Sequence, residues 1–214
     1  MQQLKTESQR REDEIIKKTD AVIAKTYARF PVVLERGRGC TVWDIHGKAY
    51  TDFVAGIAVC NLGHAHPAVA AAVAEQADRL VHVSNLYYTI PQVEIASRLI
   101  ERSFADRVFF CNSGAEANEA AIKLARKYFK DRETPPRCRI VVMEKSFHGR
   151  TMATLSATGQ DKIRKGFDPV LEGFDFVPFN DIEALKAKVD VSTCAVLTEP
   201  IQGEGGVNLS LIHI

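Results

Sequence analysis

Three polar segments of the 214-residue chain carry side chains that could bind a small charged ligand. In residues 112–116, the small residues Ser113, Gly114 and Ala115 open a predicted helix, so the free backbone N–H groups of its first turn can approach an anion such as phosphate. Residues 146–150 place the flat ring of Phe147 three positions before the guanidinium of Arg150, which can grip a carboxylate through two hydrogen bonds. The helix end could therefore hold a phosphate, and Phe147 with Arg150 could hold a planar cofactor and an acid.

The third segment, residues 199–206, offers the carboxylates of Glu199 and Glu204 on a backbone made irregular by proline and glycine. General acid or base catalysis is one interpretation of this pair. The alternative is a tight surface loop with solvated acids. Ser113 equally fits a plain helix N-cap, and Phe147 and Arg150 fit a core residue and a partner for a nearby acid.

Metal and nucleotide motifs are weak in this sequence. His64 and His66 supply two possible ligands without a third close in sequence, so we interpret them as loop and helix-entry residues. The five cysteines are odd in number and widely spaced, which disfavours disulfides and a zinc site and predicts reduced, buried thiols. A dinucleotide-binding oxidoreductase would need a glycine-rich G-x-G-x-x-G turn after a strand, and the sequence has none.

The elements that position the three segments alternate between strands and helices. The pattern predicts an antiparallel hairpin within residues 32–53, helices at 68–80, 91–103, 115–130 and 181–189, and strands at 107–112, 139–144, 174–179 and 194–198. Such alternation is typical of an α/β fold with a largely parallel sheet. Ligands bind such sheets where strands end and loops enter helices, the places predicted for all three segments.

Composition bounds the possible partners. The chain has 28 basic and 27 acidic residues and is 46% hydrophobic, so we expect a globular protein without bulk attraction to nucleic acid or an anionic membrane. Residues 2–18 are highly charged and contain no secretory h-region, and the longest apolar stretch, residues 53–60, is too short to span a bilayer. These features predict a cytoplasmic protein.

Taken jointly, the segments resemble the class III pyridoxal-phosphate-dependent aminotransferase family. The resemblance rests on Asn-Ser-Gly-Ala-Glu-Ala-Asn-Glu-Ala at 112–120, Ser-Phe-His-Gly-Arg-Thr at 146–151 and Glu-Pro-Ile-Gln-Gly-Glu-Gly-Gly at 199–206. It extends upstream through Gly-His-Ala-His-Pro at 63–67 to Tyr27 and covers about residues 27–209. It implies an α/β architecture of PLP-dependent fold type I, a homodimer and pyridoxal 5′-phosphate as cofactor.

The resemblance also implies roles for individual residues. The backbone of Gly114 and Ala115, with Ser113 close by, would bind the cofactor phosphate, and Phe147 would stack on its ring. On the substrate side, Arg150 would hold the α-carboxylate and Tyr27 would line the same pocket. Glu204 matches the acid that in related ω-aminotransferases pairs with a switchable arginine.

The sequence of residues 112–120 most resembles that of family members that transfer the amino group of N2-acetylornithine to 2-oxoglutarate. Their products are N-acetylglutamate semialdehyde and glutamate, in arginine biosynthesis. Ornithine, 4-aminobutyrate and succinylornithine stay open as alternative donors. A non-catalytic α/β module that binds a phosphorylated metabolite at Ser113 is the rival from another class.

The resemblance places the Schiff-base lysine and the partner of the ring nitrogen beyond residue 214, so no catalytic residue is expected within the chain. We therefore interpret the sequence as an N-terminal fragment: residues 1–60 a helix and hairpin segment, 61–209 a partial cofactor-binding α/β domain, and 210–214 an atypical tail. A 214-residue fragment on its own is expected to aggregate and to be inactive, because missing strands leave sheet edges and core exposed.

Overall fold

The computed structural model describes residues 6–211, which form two compact units, the first ending in the sequence at Thr89 and the second beginning at Ile90. The first unit contains a small sheet and flanking helices. Its elements are helix α1 (Glu7–Val22), strands β1 (Leu34–Arg38), β2 (Thr41–Asp44) and β3 (Ala49–Thr51), the short helix α2 (Ala55–Ala58), helix α3 (Pro67–Arg79) and a 3-10 turn at Ser84–Leu86.

The predicted antiparallel hairpin in this unit is confirmed and gains a third strand. Strand β2 pairs antiparallel with both neighbours, with Val42 opposite Gly37 on one side and opposite Tyr50 on the other. The turn after β2 is held by the buried Asp44, whose carboxylate accepts hydrogen bonds from the backbone of His46 and Lys48 and from the Tyr50 hydroxyl at 2.7–2.9 Å. The first five residues of the predicted N-terminal segment lie outside the described residues.

The second unit is an α/β assembly. Its elements are helices α4 (Ile90–Ile100) and α5 (Gly114–Lys130), strand β4 (Arg139–Met143), helices α6 (Met152–Ala157) and α7 (Asp161–Arg164), strand β5 (Phe174–Val177), helix α8 (Ile182–Lys188), and strands β6 (Thr193–Leu197), β7 (Ile201–Gln202) and β8 (Asn208–Leu209). Strands β5, β4 and β6 form a sheet in that order, and its parallel pairing confirms the predicted parallel sheet; β7 pairs antiparallel with β8.

Alternate side chains of β4 build the two sides of the core. Ile140 and Val142 pack with Ile122 of α5 and with Ala153 and Ala157 of α6. On the opposite face, Val141 and Met143 pack with Val177, beside Ala184 and Leu185 of α8. This alternation is the period-two geometry of a strand, and it fixes α5 and α6 together on one face of the sheet.

The strand predicted at residues 107–112 is wrong. This segment is irregular, and no described strand pairs with it, although α5 begins two residues later. Phe109 is 71% exposed, so its apolar character does not reflect burial among these residues. A strand forms only where a partner edge satisfies its backbone, and an apolar run alone cannot show whether that edge exists.

The cysteines correct a second expectation. None of the five is buried: Cys40, Cys111 and Cys138 are exposed, and Cys60 and Cys194 are half-buried, all as free thiols. Within residues 6–211, no helix is long and apolar enough to cross a membrane. The domain boundary expected near residue 60 stays a prediction. Most of the expected tail, residues 210–214, lies outside the described residues.

Candidate active site

The N-terminus of α5 is capped by its own sequence. Ser113 is extended, and its Oγ accepts a hydrogen bond from the N–H of Glu116 at 3.1 Å, while the Glu116 carboxylate accepts the N–H of Asn112 at 2.6 Å. The N-cap interpretation of Ser113 is therefore confirmed. It does not exclude anion binding, because the N–H groups of Gly114 and Ala115 have no acceptor among residues 6–211. The dipole of this 17-residue helix favours negative charge at that end.

Phe147 and Arg150 lie in the loop that follows β4, at the carboxyl end of the parallel sheet. Phe147 is half-buried and belongs to neither core cluster of the described residues. The Arg150 guanidinium is exposed, lies 5.8 Å from the centroid of the Phe147 ring, and forms no ion pair with a carboxylate of residues 6–211. The structure therefore does not support the core-and-ion-pair alternative for these two residues.

The helix N-terminus and the Arg150 loop are packed directly against each other. Gly149 lies so close to α5 that a β-carbon added to it would stand 2.7 Å from the Ala115 Cβ. One turn further along the helix, the Asn118 side-chain amide donates to the His148 carbonyl at 2.8 Å. These contacts place the loop that carries Phe147 and Arg150 against the first turns of α5.

The third segment joins the same loop from β6. The Glu199 carboxylate accepts the N–H of Phe147 at 3.3 Å, and Gln202 donates to the Glu144 carbonyl at 2.8 Å. Burial raises the pKa of Glu199 above its ordinary value, and the hydrogen bond from Phe147 opposes that rise. Glu204 is exposed in the turn between β7 and β8, so of the two acids only Glu199 contacts the Phe147 loop through a described hydrogen bond.

His148 is a feature of the site that sequence reasoning missed. Its side chain is 4% exposed, and its Nε2 has no hydrogen-bond partner among the described residues. Burial lowers the pKa of His148 to about 4, so the imidazole is neutral at physiological pH. A neutral ring between Phe147 and Arg150 adds no positive charge to compete with the guanidinium for an anion.

Tyr27 and His64 belong to the first unit. Tyr27 is 74% exposed in an irregular segment, and its substrate role stays a prediction. His64 bonds to the Asp52 carboxylate at 2.6 Å, and within residues 6–211 no three potential ligands cluster around a metal position. The Asp52 pKa is lowered by that hydrogen bond and by two backbone N–H donors.

Comparisons with known proteins agree with this geometry. The model of one protein family, described as aminotransferase class-III, matches residues 22–211. A relative named acetylornithine aminotransferase, from Gloeobacter violaceus, is 61% identical over 185 residues that make up 86% of this chain and 46% of the relative. The chain thus spans about half the length of the curated relatives it matches.

Solved structures show the same likeness. The ornithine aminotransferase of Toxoplasma gondii ME49 superposes with a TM-score of 0.87 and 34% identity, covering 97% of this chain and 49% of that one. An acetylornithine aminotransferase from Elizabethkingia anophelis superposes with a TM-score of 0.75 and 33% identity, covering 93% of this chain and 47% of that one. The fold is therefore that of the fold type I aminotransferases.

Proposed function

Because the chain belongs to the class-III aminotransferase family, we propose that the protein carrying these residues transfers the amino group of N2-acetylornithine to 2-oxoglutarate with pyridoxal 5′-phosphate as cofactor. The observation that carries the proposal is the direct packing of Gly149 against Ala115, which places a helix N-terminus beside the loop of Arg150, an arginine without an ion-pair partner among residues 6–211. Relatives named acetylornithine aminotransferase at 51–61% identity support the choice of donor.

The residues present fit a phosphorylated aromatic cofactor. Gly114 has open space where a side chain would begin, so the backbone N–H groups of the first helical turn are accessible to a phosphate. Gly114 and Ala115 would hold that phosphate, and Phe147 would contact the ring from a position fixed by the Glu199 carboxylate. When bound, the cofactor supplies an electron-withdrawing ring that stabilises the negative charge left when the substrate carbon loses its proton.

The exposed Arg150 guanidinium would orient the substrate. Its position beside the Phe147 ring suits an acidic substrate whose carboxylate must be held while the amino group lies near the cofactor. Both N2-acetylornithine and glutamate carry such a carboxylate, so one arginine serves both half-reactions. The half-buried Glu199 keeps the loop in place by accepting the Phe147 N–H.

The assembly and the remaining residue roles are part of the same proposal. We infer a cytoplasmic homodimer that binds amino acids and 2-oxo acids, with Tyr27 lining the substrate pocket and Glu204 serving as the acid that pairs with a switchable arginine, so that both the amino donor and glutamate can bind. The family resemblance supports these assignments. The catalytic lysine would come from a part of the protein other than residues 1–214.

The proposal is tested with the protein expressed from the complete reading frame that contains these residues. Saturated with pyridoxal 5′-phosphate and supplied with 2-oxoglutarate, it should form glutamate from N2-acetylornithine with the highest kcat/KM among the four candidate donors. A clear preference for ornithine, 4-aminobutyrate or succinylornithine would overturn the substrate assignment. Binding of pyridoxamine 5′-phosphate no tighter than pyridoxamine would overturn the phosphate site.

A further inference from the structure

One face of α5 makes a row of contacts to the loop that carries Arg150. Ala115, Asn118 and Glu119 occupy this face at the i, i+3 and i+4 spacing that places helical side chains side by side. Ala115 packs against Gly149, and Asn118 donates to the His148 carbonyl at 2.8 Å. The row begins two residues after Ser113, within the same turn that would receive the phosphate.

Glu119 makes the most extensive of these contacts. Its Oε1 accepts the Thr151 hydroxyl at 2.5 Å and the N–H of Ala153 at 3.0 Å, with the N–H of Thr154 at 3.4 Å. A carboxylate from α5 therefore caps the N-terminus of α6, in addition to the local cap that Thr151 and Thr154 make for themselves. Residues Ala153–Ala157 are buried, so the capped helix is also held in place by the core.

The contacts bracket Arg150 in sequence. The backbone is held at His148 and Gly149 before the arginine and at Thr151 and Ala153 after it, each time by α5. Arg150 itself has no ion-pair partner among residues 6–211, and its guanidinium lies 5.8 Å from the centroid of the Phe147 ring in the same loop. The path of the loop backbone therefore determines where the guanidinium can reach.

We propose that Asn118 and Glu119 are positioning residues that set the place of the Arg150 guanidinium relative to the phosphate-binding turn. This inference rests on the proposed function, because it assigns meaning to the spacing between the cofactor phosphate and the substrate carboxylate. Glu119 holds the backbone after Arg150 through the cap on α6, and Asn118 holds the backbone before Arg150 through the His148 carbonyl. Neither residue touches the cofactor or the substrate.

The variants separate the cap from the charge. Glu119→Ala removes the acceptor, whereas Glu119→Gln retains an oxygen that can accept the same N–H groups. Glu94→Ala is the matched control, because Glu94 is an exposed helical glutamate of the same unit with no described side-chain partner. All variants are made in the protein expressed from its complete reading frame.

The ligands are pyridoxamine 5′-phosphate, which probes the helix end, and glutarate, which probes Arg150 in the presence of saturating pyridoxamine 5′-phosphate. Glu119→Ala should weaken glutarate binding about tenfold and change pyridoxamine 5′-phosphate binding less than about twofold, because the Ser113 cap stays intact. Glu119→Gln should recover most of the glutarate affinity, and Glu94→Ala should match the unmodified protein. Equal weakening of both ligands, or unchanged glutarate binding in Glu119→Ala, would overturn the positioning role.

Hydrogen exchange gives a readout that does not need either ligand. The amides of Ala153 and Thr154 should exchange faster in Glu119→Ala than in Glu119→Gln or Glu94→Ala. If the unmodified protein binds neither ligand, the proposed function fails, while faster exchange in Glu119→Ala alone still supports the contact by which Glu119 holds the N-terminus of α6. Unchanged exchange at Ala153 and Thr154 would overturn that contact whatever the ligands do.

Discussion

Replacing Gly149 with alanine tests the contact that joins the two halves of the candidate site. The backbone at Gly149 has φ +134°, where a residue with a side chain is strained by about 1–3 kcal/mol. The new β-carbon would also lie 2.7 Å from both the Ala115 Cβ and the Thr154 Oγ1, and 3.0 Å from the Ala115 Cα. Overpacking of this kind costs about 1–3 kcal/mol, so Gly149→Ala should lower the free energy of unfolding by about 2–6 kcal/mol.

Gly166→Ala is the control for the backbone contribution. Gly166 lies in the same unit and also has a positive φ, +89°, but an added β-carbon there meets nothing within 4 Å. Urea unfolding followed by far-ultraviolet circular dichroism suits the comparison, since the single tryptophan, Trp43, lies in the other unit. The free energy of unfolding should fall more in Gly149→Ala than in Gly166→Ala.

A double variant isolates the steric contribution. Ala115→Gly removes the nearest carbon, so combining it with Gly149→Ala should recover about 1 kcal/mol beyond the sum of the single changes. The Thr154 hydroxyl and the strained backbone remain, so recovery should be partial. If Gly149→Ala costs no more than Gly166→Ala, or if the double variant shows no coupling, the close packing of α5 against the Arg150 loop is refuted.

Three further predictions concern single groups. Arg150→Ala should weaken glutamate and glutarate by about 1.5–3 kcal/mol through loss of a charge-assisted contact, measured by calorimetric titration, and unchanged affinity would remove Arg150 from substrate binding. Because His148 has its pKa lowered from 6.5 to about 4, the folded state binds fewer protons than the unfolded state, so stability should fall as pH falls from about 6.5 toward 4. Urea midpoints of His148→Leu should lack that part of the pH dependence, and a retained dependence would contradict the assignment. The hydrogen bond to Glu12 raises the pKa of His46 in the folded state. The stability that this contact between α1 and the small sheet contributes should therefore be complete below about pH 6.5 and be lost as the pH rises through the raised pKa of His46. In Glu12→Gln, a nuclear magnetic resonance titration should show the His46 pKa closer to its ordinary value. A His46 pKa equal to that of the unmodified protein would disprove the contact.

Much of the fold could be predicted because local and tertiary signals agree. Helix α5 begins at a serine N-cap, carries Glu116 in its first turn and lysines in its last, and buries Ile122 on one face. After Arg139, strand β4 is a continuous apolar run buried on both faces, the pattern expected of the central strand of a parallel sheet. In both elements, propensity, charge order and burial lead to the same structure.

The errors have a common physical cause. The apolar residues 107–112 satisfy the pattern of a strand, but a strand exists only through pairing with a partner that the pattern does not reveal. The cysteines were expected to be buried from residue type alone, although burial depends on neighbours from other elements. Helix α6 was missed because its six residues include two β-branched or hydroxyl positions and its cap comes partly from Glu119 on another helix.

The candidate site was predictable in its residues but not in its connections. Ser113, Phe147 and Arg150 stand out by type and spacing, and the structure brings their segments together. From the sequence, Glu119 is only an acidic residue near the N-terminus of a helix, where the helix dipole favours negative charge. Its contact with Thr151, 32 positions along the chain, depends on α5 and α6 lying on the same face of the sheet.

The central claim is that the N-terminus of α5 binds the phosphate of the cofactor beside Phe147 and Arg150. A crystal structure of the protein with pyridoxamine 5′-phosphate tests it most directly. We expect phosphate oxygens about 2.7–3.2 Å from the backbone nitrogens of Gly114 and Ala115, with the pyridine ring against Phe147. A phosphate bound elsewhere, with both N–H groups left in water, would contradict the claim.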